Sequence, residues 1–92
     1  MQTRSLIALP DGGRVRLLAL GSEDAHANVA NLVCEEADGR ERWRIAPRMD
    51  ELGDCFVHVE LREGALLAWT WSCFRLTLDP QTGAELASLF VK

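Results

Sequence analysis

The run CFVHVELREGALLAWTWSCFRLTLDPQTG, residues 55–83, decides the fold. In Cys55–Leu61, the residues Cys55, Val57, Val59 and Leu61 alternate with Phe56, His58 and Glu60, the period-2 pattern of a strand with two unlike faces. Cys73–Asp79 does the same, with Phe74, Leu76 and Leu78 opposed to Cys73, Arg75, Thr77 and Asp79. Between them, Ala65–Ser72 is almost wholly apolar or aromatic, as a strand covered on both faces would be. Arg62-Glu63-Gly64 is short enough for a hairpin turn. Asp79-Pro80-Gln81-Thr82-Gly83 is a turn signal, because proline presets φ and glycine accepts a positive one. A last strand over Ala84–Val91 completes a four-stranded antiparallel meander. This phase predicts a core containing Val57, Val59, Leu67, Trp69, Leu76 and Leu78.

The N-terminal half repeats the plan less sharply. Leu6–Leu9 reads as a strand, Pro10-Asp11-Gly12-Gly13 as a turn and Arg14–Leu20 as a second strand. After a polar connection at Gly21–Asn28, Asn31–Glu35, the turn Ala37-Asp38-Gly39-Arg40 and Glu41–Ala46 give two more strands. Ser22 as N-cap, acidic Glu23 and Asp24, and Gly39 beyond the end also fit a helix over Glu23–Ala37. The expectation is therefore a single all-β, antiparallel domain over residues 1–92, built of two four-stranded blade-like meanders with a short helix within 23–37 as the alternative. One unit spans about residues 4–46 and the other about 55–91, joined by a linker at 47–54.

Composition bounds the function. The chain of 92 residues is 48% hydrophobic and 26% charged, which suits a folded domain rather than a disordered one. Its net charge of −4 gives no electrostatic reason to bind nucleic acid or an acidic membrane. The apolar run Leu6–Leu9 is too short for a secretion signal, and no stretch is long enough to span a bilayer. Three cysteines, an odd number without paired spacing, suggest a reducing compartment and hence the cytoplasm.

Two segments carry a family resemblance: Val33-Cys34-Glu35-Glu36-Ala37-Asp38-Gly39-Arg40-Glu41-Arg42-Trp43 and Leu76-Thr77-Leu78-Asp79-Pro80-Gln81-Thr82-Gly83-Ala84-Glu85-Leu86. Both resemble the strand–turn–strand of a quinoprotein-type β-propeller blade, with its apolar strand, acidic residue, glycine turn and following strand. The first keeps the tryptophan of that pattern as Trp43, whereas the second has Ala87 or Ser88 there. The Trp69–Trp71 strand before Asp79-Pro80 is also similar to short bacterial proteins of that pattern. The resemblance implies a fold, not an activity. Two units cannot close the ring that holds the quinoprotein cofactor, so no cofactor is expected.

Candidate chemistry is sparse. Cys34, Cys55 and Cys73 with His26 and His58 lack the close spacing of a zinc site, and Cys55 and His58 fall on opposite faces of an extended strand. Neither a metal nor a catalytic residue is expected. The acidic pairs Glu23-Asp24, Glu35-Glu36 and Asp50-Glu51 read as solvated loop charges. Trp69 and Trp71 share a strand face, and they suit core packing better than base or sugar stacking. Arg40, Arg42 and Arg44 alternate with Glu41, Trp43 and Ile45, and Arg14 and Arg16 repeat the arrangement. These five arginines are the candidate partner surface, since the guanidinium fork matches carboxylates. The functional expectation is a non-enzymatic interaction or binding module, for instance a small inhibitor or immunity-type protein. A structural self-assembling protein and an unrecognised enzyme are the alternatives. The expected partner is a protein or a second copy in a homodimer, because stacked repeats normally need about three units to bury their faces.

Overall fold

The computed structural model describes residues 3–19, 30–47 and 54–91. These form eight strands: β1 (Thr3–Ala8), β2 (Arg14–Leu18), β3 (Leu32–Glu35), β4 (Glu41–Ile45), β5 (Phe56–Arg62), β6 (Ala65–Thr70), β7 (Phe74–Leu78) and β8 (Glu85–Phe90). They make two antiparallel sheets in the orders β1-β2-β3-β4 and β5-β6-β7-β8. Each half of the chain is thus one sheet, joined mostly by tight turns. Leu32–Glu35 is strand, so the helical alternative for Glu23–Ala37 fails over that part. Residues 23–29 of that stretch, and most of the 47–54 linker, lie outside the described residues.

Neither sheet has a core alone, and they pack face to face. Val15, Leu17, Leu32, Cys34 and Trp43 of the first sheet meet Phe56, Val59, Leu66, Ala68, Leu76 and Leu78 of the second in one buried cluster. The alternation of Arg14–Leu18 explains its half: Val15 and Leu17 point in, Arg14 and Arg16 out. Between sheets, β5 lies nearest, running against β1 and β2.

Two of the expected core residues are displaced, and a bulge explains the first. The β5–β6 register shifts between Phe56 and His58, so Val57 has no cross-strand partner. One extra residue reverses the phase, and Phe56 and Val59 both reach the core. Phe56, assigned by simple alternation to the opposite face, is 1% exposed, whereas Val57 is only half-buried. Trp69 is the second: it lies on the outer face of β6, half-buried, with its ring 5.0 Å from that of His58. Trp71 does not share its strand; it sits beyond the end of β6 and is 71% exposed.

Asn31 clamps the sheets together at one end. Its side chain is buried between the end of β2 and the start of β5. The amide nitrogen donates to Phe56 O at 2.8 Å and Leu18 O at 3.2 Å, and Oδ1 accepts from Phe56 N–H at 3.0 Å. This one side chain acts as a strand would toward Phe56. Beside it, the buried Asp54 carboxylate accepts from Cys55 N–H, Ser72 N–H and Ser72 Oγ, which fixes the β6–β7 connection with Cys73 at φ 72°.

Replacing Asn31 by alanine strands buried backbone groups, at about 1–3 kcal/mol for each group left unpaired. The expected loss in Asn31→Ala is at least about 2 kcal/mol in a urea titration. A change below about 0.5 kcal/mol, the range of an ordinary surface substitution, would show that Asn31 does not hold the sheets.

Candidate functional site

At the end opposite Asn31, three turns gather and a second clamp forms. The indole N–H of Trp43, on β4, donates to Pro80 O at 2.9 Å, and Arg42 Nη1 donates to the same oxygen at 3.3 Å. The Trp43 ring lies against Gly83, where a Cβ would stand 2.8 Å from Trp43 Cδ2 and φ is +76°. Only glycine fits there. Gln81 Nε2 donates to Asp11 Oδ2 at 2.9 Å, tying the β7–β8 turn to the β1–β2 turn.

The five arginines do not form one surface. Arg14 and Arg16 both pair with Glu35 at 3.0 Å on the outer face of the first sheet. Arg44 pairs with Glu41, and Arg40, just before β4, pairs with Asp38. Arg42 departs from its neighbours. The β3–β4 register shifts between Cys34 and Glu35, and Arg42, left without a cross-strand partner, leaves the stripe. Its side chain is 10% exposed and pairs with Glu36 and Asp11. It is a buried cross-link, not a surface residue.

The cysteines and histidine are dispersed. Cys34 is buried in the core, Cys55 is buried at the entry to β5 and Cys73 is exposed, all with free thiols. Burial pushes the Cys34 and Cys55 thiols above their ordinary range, so at neutral pH they are thiols rather than thiolates. His58 is exposed on the outer face of β5, and His26 lies outside the described residues. Among the described residues, no group of three or more His, Cys, Asp or Glu side chains converges. No helix is long and apolar enough to cross a membrane among those residues. A cleft of about 510 Å³ at the Asn31 end has Arg4, Leu18, Asn31, Cys55 and Trp71 among its lining residues. Its Asn31 amide is already engaged in the clamp. A cleft of about 180 Å³ at the turn end uses Leu9, Asp11, Leu61 and Gln81.

Among the described residues, β8 is the most exposed strand. Each sheet has two edge strands: β4 is blunted by Glu41 and Arg44 and β5 by Glu60 and Arg62, whereas β1 carries a single charge, Arg4. β8 carries Glu85 alone, at its start. From Leu86 to Phe90 every residue is exposed, so both faces of the strand are bare. Leu86, Leu89 and Phe90 are 64%, 51% and 57% exposed. β8 contributes nothing to the buried cluster. Phe90 meets Phe74 edge-on with centroids 5.4 Å apart, and a shallow notch between β4 and β8, beside Ile45 and Leu76, opens toward the core. Alternation and turn signals place a strand here but do not reveal its exposure on both faces.

Fold and surface together define a small two-sheet β protein whose last edge strand is exposed on both faces and carries one charge. The chain belongs to the family described as Domain of unknown function (DUF7957), whose model matches residues 6–90. No curated protein and no solved structure matches it.

Asp11 gives the turn-end clamp a pH signature. Hydrogen bonds from Gln81 and Gly13 N–H, with the Arg42 guanidinium beside them, lower its carboxyl from 3.8 to about 2. The unfolded chain therefore takes up this proton first on acidification. The contribution is complete above roughly pH 4 and lost as pH falls through about 2. Asp11→Asn is expected to melt below the wild type at neutral pH, and the gap should close between these values. A gap that stays constant with pH would remove Asp11 from the clamp.

Proposed function

We propose that this chain is a non-enzymatic protein-interaction module that binds its partner through the β8 edge and the apolar side chains flanking it. The observation that carries the proposal is the exposure of β8 on both faces, with Leu86, Leu89 and Phe90 each more than half exposed beside a single charge, Glu85. An edge strand offers unpaired N–H and C=O groups, and an added strand satisfies them while neighbouring side chains supply specificity. The arrangement suits a small inhibitor or immunity-type protein, which acts by occupying a surface.

The fate of the polar groups supports a role without chemistry. Asn31, Asp54 and Arg42, the polar side chains that burial would otherwise poise for reaction, are consumed in holding strands and turns. The thiols are kept protonated by their burial in Cys34 and Cys55. The arginine surface is the weaker candidate, because Arg14, Arg16, Arg40 and Arg44 already face carboxylates of this chain.

The test compares two variants in affinity capture from the native host followed by mass spectrometry. Leu86→Lys with Phe90→Glu alters the β8 face; Arg14→Ala with Arg16→Ala alters the arginine face. Partner recovery should fall at least tenfold in the first and stay within about twofold in the second, since truncating a central apolar anchor typically costs more than 1 kcal/mol. Equal recovery from both variants, or loss confined to the arginine variant, would overturn the assignment of the surface.

A further inference from the structure

Two bulges at the Asn31 end serve a site that the β8 surface does not include. In β1 the register shifts between Thr3 and Ser5, which leaves Arg4 without a cross-strand partner. In β5 it shifts between Phe56 and His58, which leaves Val57 in the same position. A bulge re-aims the side chain that it releases from the ladder. Arg4 and Val57 both line the cleft of about 510 Å³, although they come from different sheets. A bulge that merely blunted an edge would account for Arg4, but not for an apolar Val57 released into the same cleft. We infer that this cleft binds a small monoanion with an apolar body, an aryl or alkyl carboxylate, with its acid group on Arg4 and its body against Leu18, Val57 and the indole of Trp71.

The lining sets the ligand class. Arg4 is its only charged residue, and among the described residues no carboxylate pairs with it. Asp54, next to Cys55 in the chain, is committed to Ser72 and lines no part of the cleft. Asn31 has nothing further to donate, because its nitrogen already bonds Leu18 O and Phe56 O, which uses both amide hydrogens. Burial keeps the Cys55 thiol neutral, so it adds no second charge. One guanidinium fork therefore faces the ligand, and it matches one carboxylate. A second charge on the ligand would find no partner. Around the fork the walls are apolar or aromatic. Trp71 donates its backbone N–H to Cys55 O at 2.9 Å, so its backbone is held while its side chain remains 71% exposed. A ligand body laid on that ring removes it from water. The volume falls within the roughly 300–1,000 Å³ of sites for small organic molecules.

The test titrates nitrogen-15-labelled protein with phenylbutyrate, the neutral phenylbutanol and the cationic phenylbutylamine. The chain has three tryptophans and hence three indole N–H signals, and Trp71→Phe assigns the one that reports on the cleft. At ordinary ligand efficiency, about twelve non-hydrogen atoms bind in the low millimolar range. The Trp71 signal should move saturably with phenylbutyrate, at an affinity at least about fivefold above that for the alcohol, and should not respond to the amine. Arg4→Gln should remove the preference for the acid, while Arg4→Lys, which keeps the charge, should retain most of it. Signals remote from the cleft should be unchanged in both variants, which reports an intact fold. Leu86→Lys, on β8, should leave the titration as it is in the wild type. A Trp71 signal that never saturates overturns the proposal, as does equal affinity for acid and alcohol. So does an acid preference that survives Arg4→Gln, or binding that is lost in Leu86→Lys.

Discussion

The structure depends on how two sheets, neither able to fold alone, are pinned to each other at opposite ends. At one end the Asn31 amide meets both backbone groups of Phe56. At the other, Trp43 and Arg42 converge on the single carbonyl of Pro80. The buried cluster is filled from β5, β6 and β7 with nothing from β8. With Phe56 and Pro80 both held by the first sheet, that sheet covers three strands of the second and leaves the last bare. The same two clamps that create the core thus create the exposed edge.

Polar interactions elsewhere are spent on this arrangement. Glu35 is lowered by the hydrogen bond from Arg14 and by Arg16, and Glu36 by the hydrogen bond from Arg42. Among the described residues, no buried side-chain nitrogen or oxygen lacks a hydrogen-bond partner. Burying unpaired polar groups costs more than pairing them returns, so a small domain with this many ionic side chains keeps them paired at its faces and turns. The apolar surplus is left at Leu6, Trp71 and, most densely, β8, where Leu86, Leu89 and Phe90 remain in water.

All eight strands and their division into two sheets were legible in the sequence, because alternation and glycine turns report the local backbone directly. Gly39 and Gly83 mark their turns with φ of 92° and 76°. The errors lie where an inserted residue changes phase. A bulge has no compositional mark at Val57, and it turns Phe56 from the outside to the core. At Arg42 a bulge converts a stripe residue into a buried cross-link. Asn31 was read only as the start of a strand, since one polar residue at a strand end does not reveal that its partner is Phe56. The exposed edge was half legible: the sequence shows that β8 carries one charge, Glu85, but only the structure shows that Leu86 to Phe90 are exposed on both faces.

Residue-resolved amide hydrogen exchange on dilute protein tests this account most directly. The account predicts an alternation along β8, with Ala87 and Leu89 protected by β7 and Ser88 and Phe90 exchanging freely. Protection of Ser88 and Phe90 as strong as that of Ala87 and Leu89 in the dilute monomer would contradict it, because the edge would then be covered within a single chain.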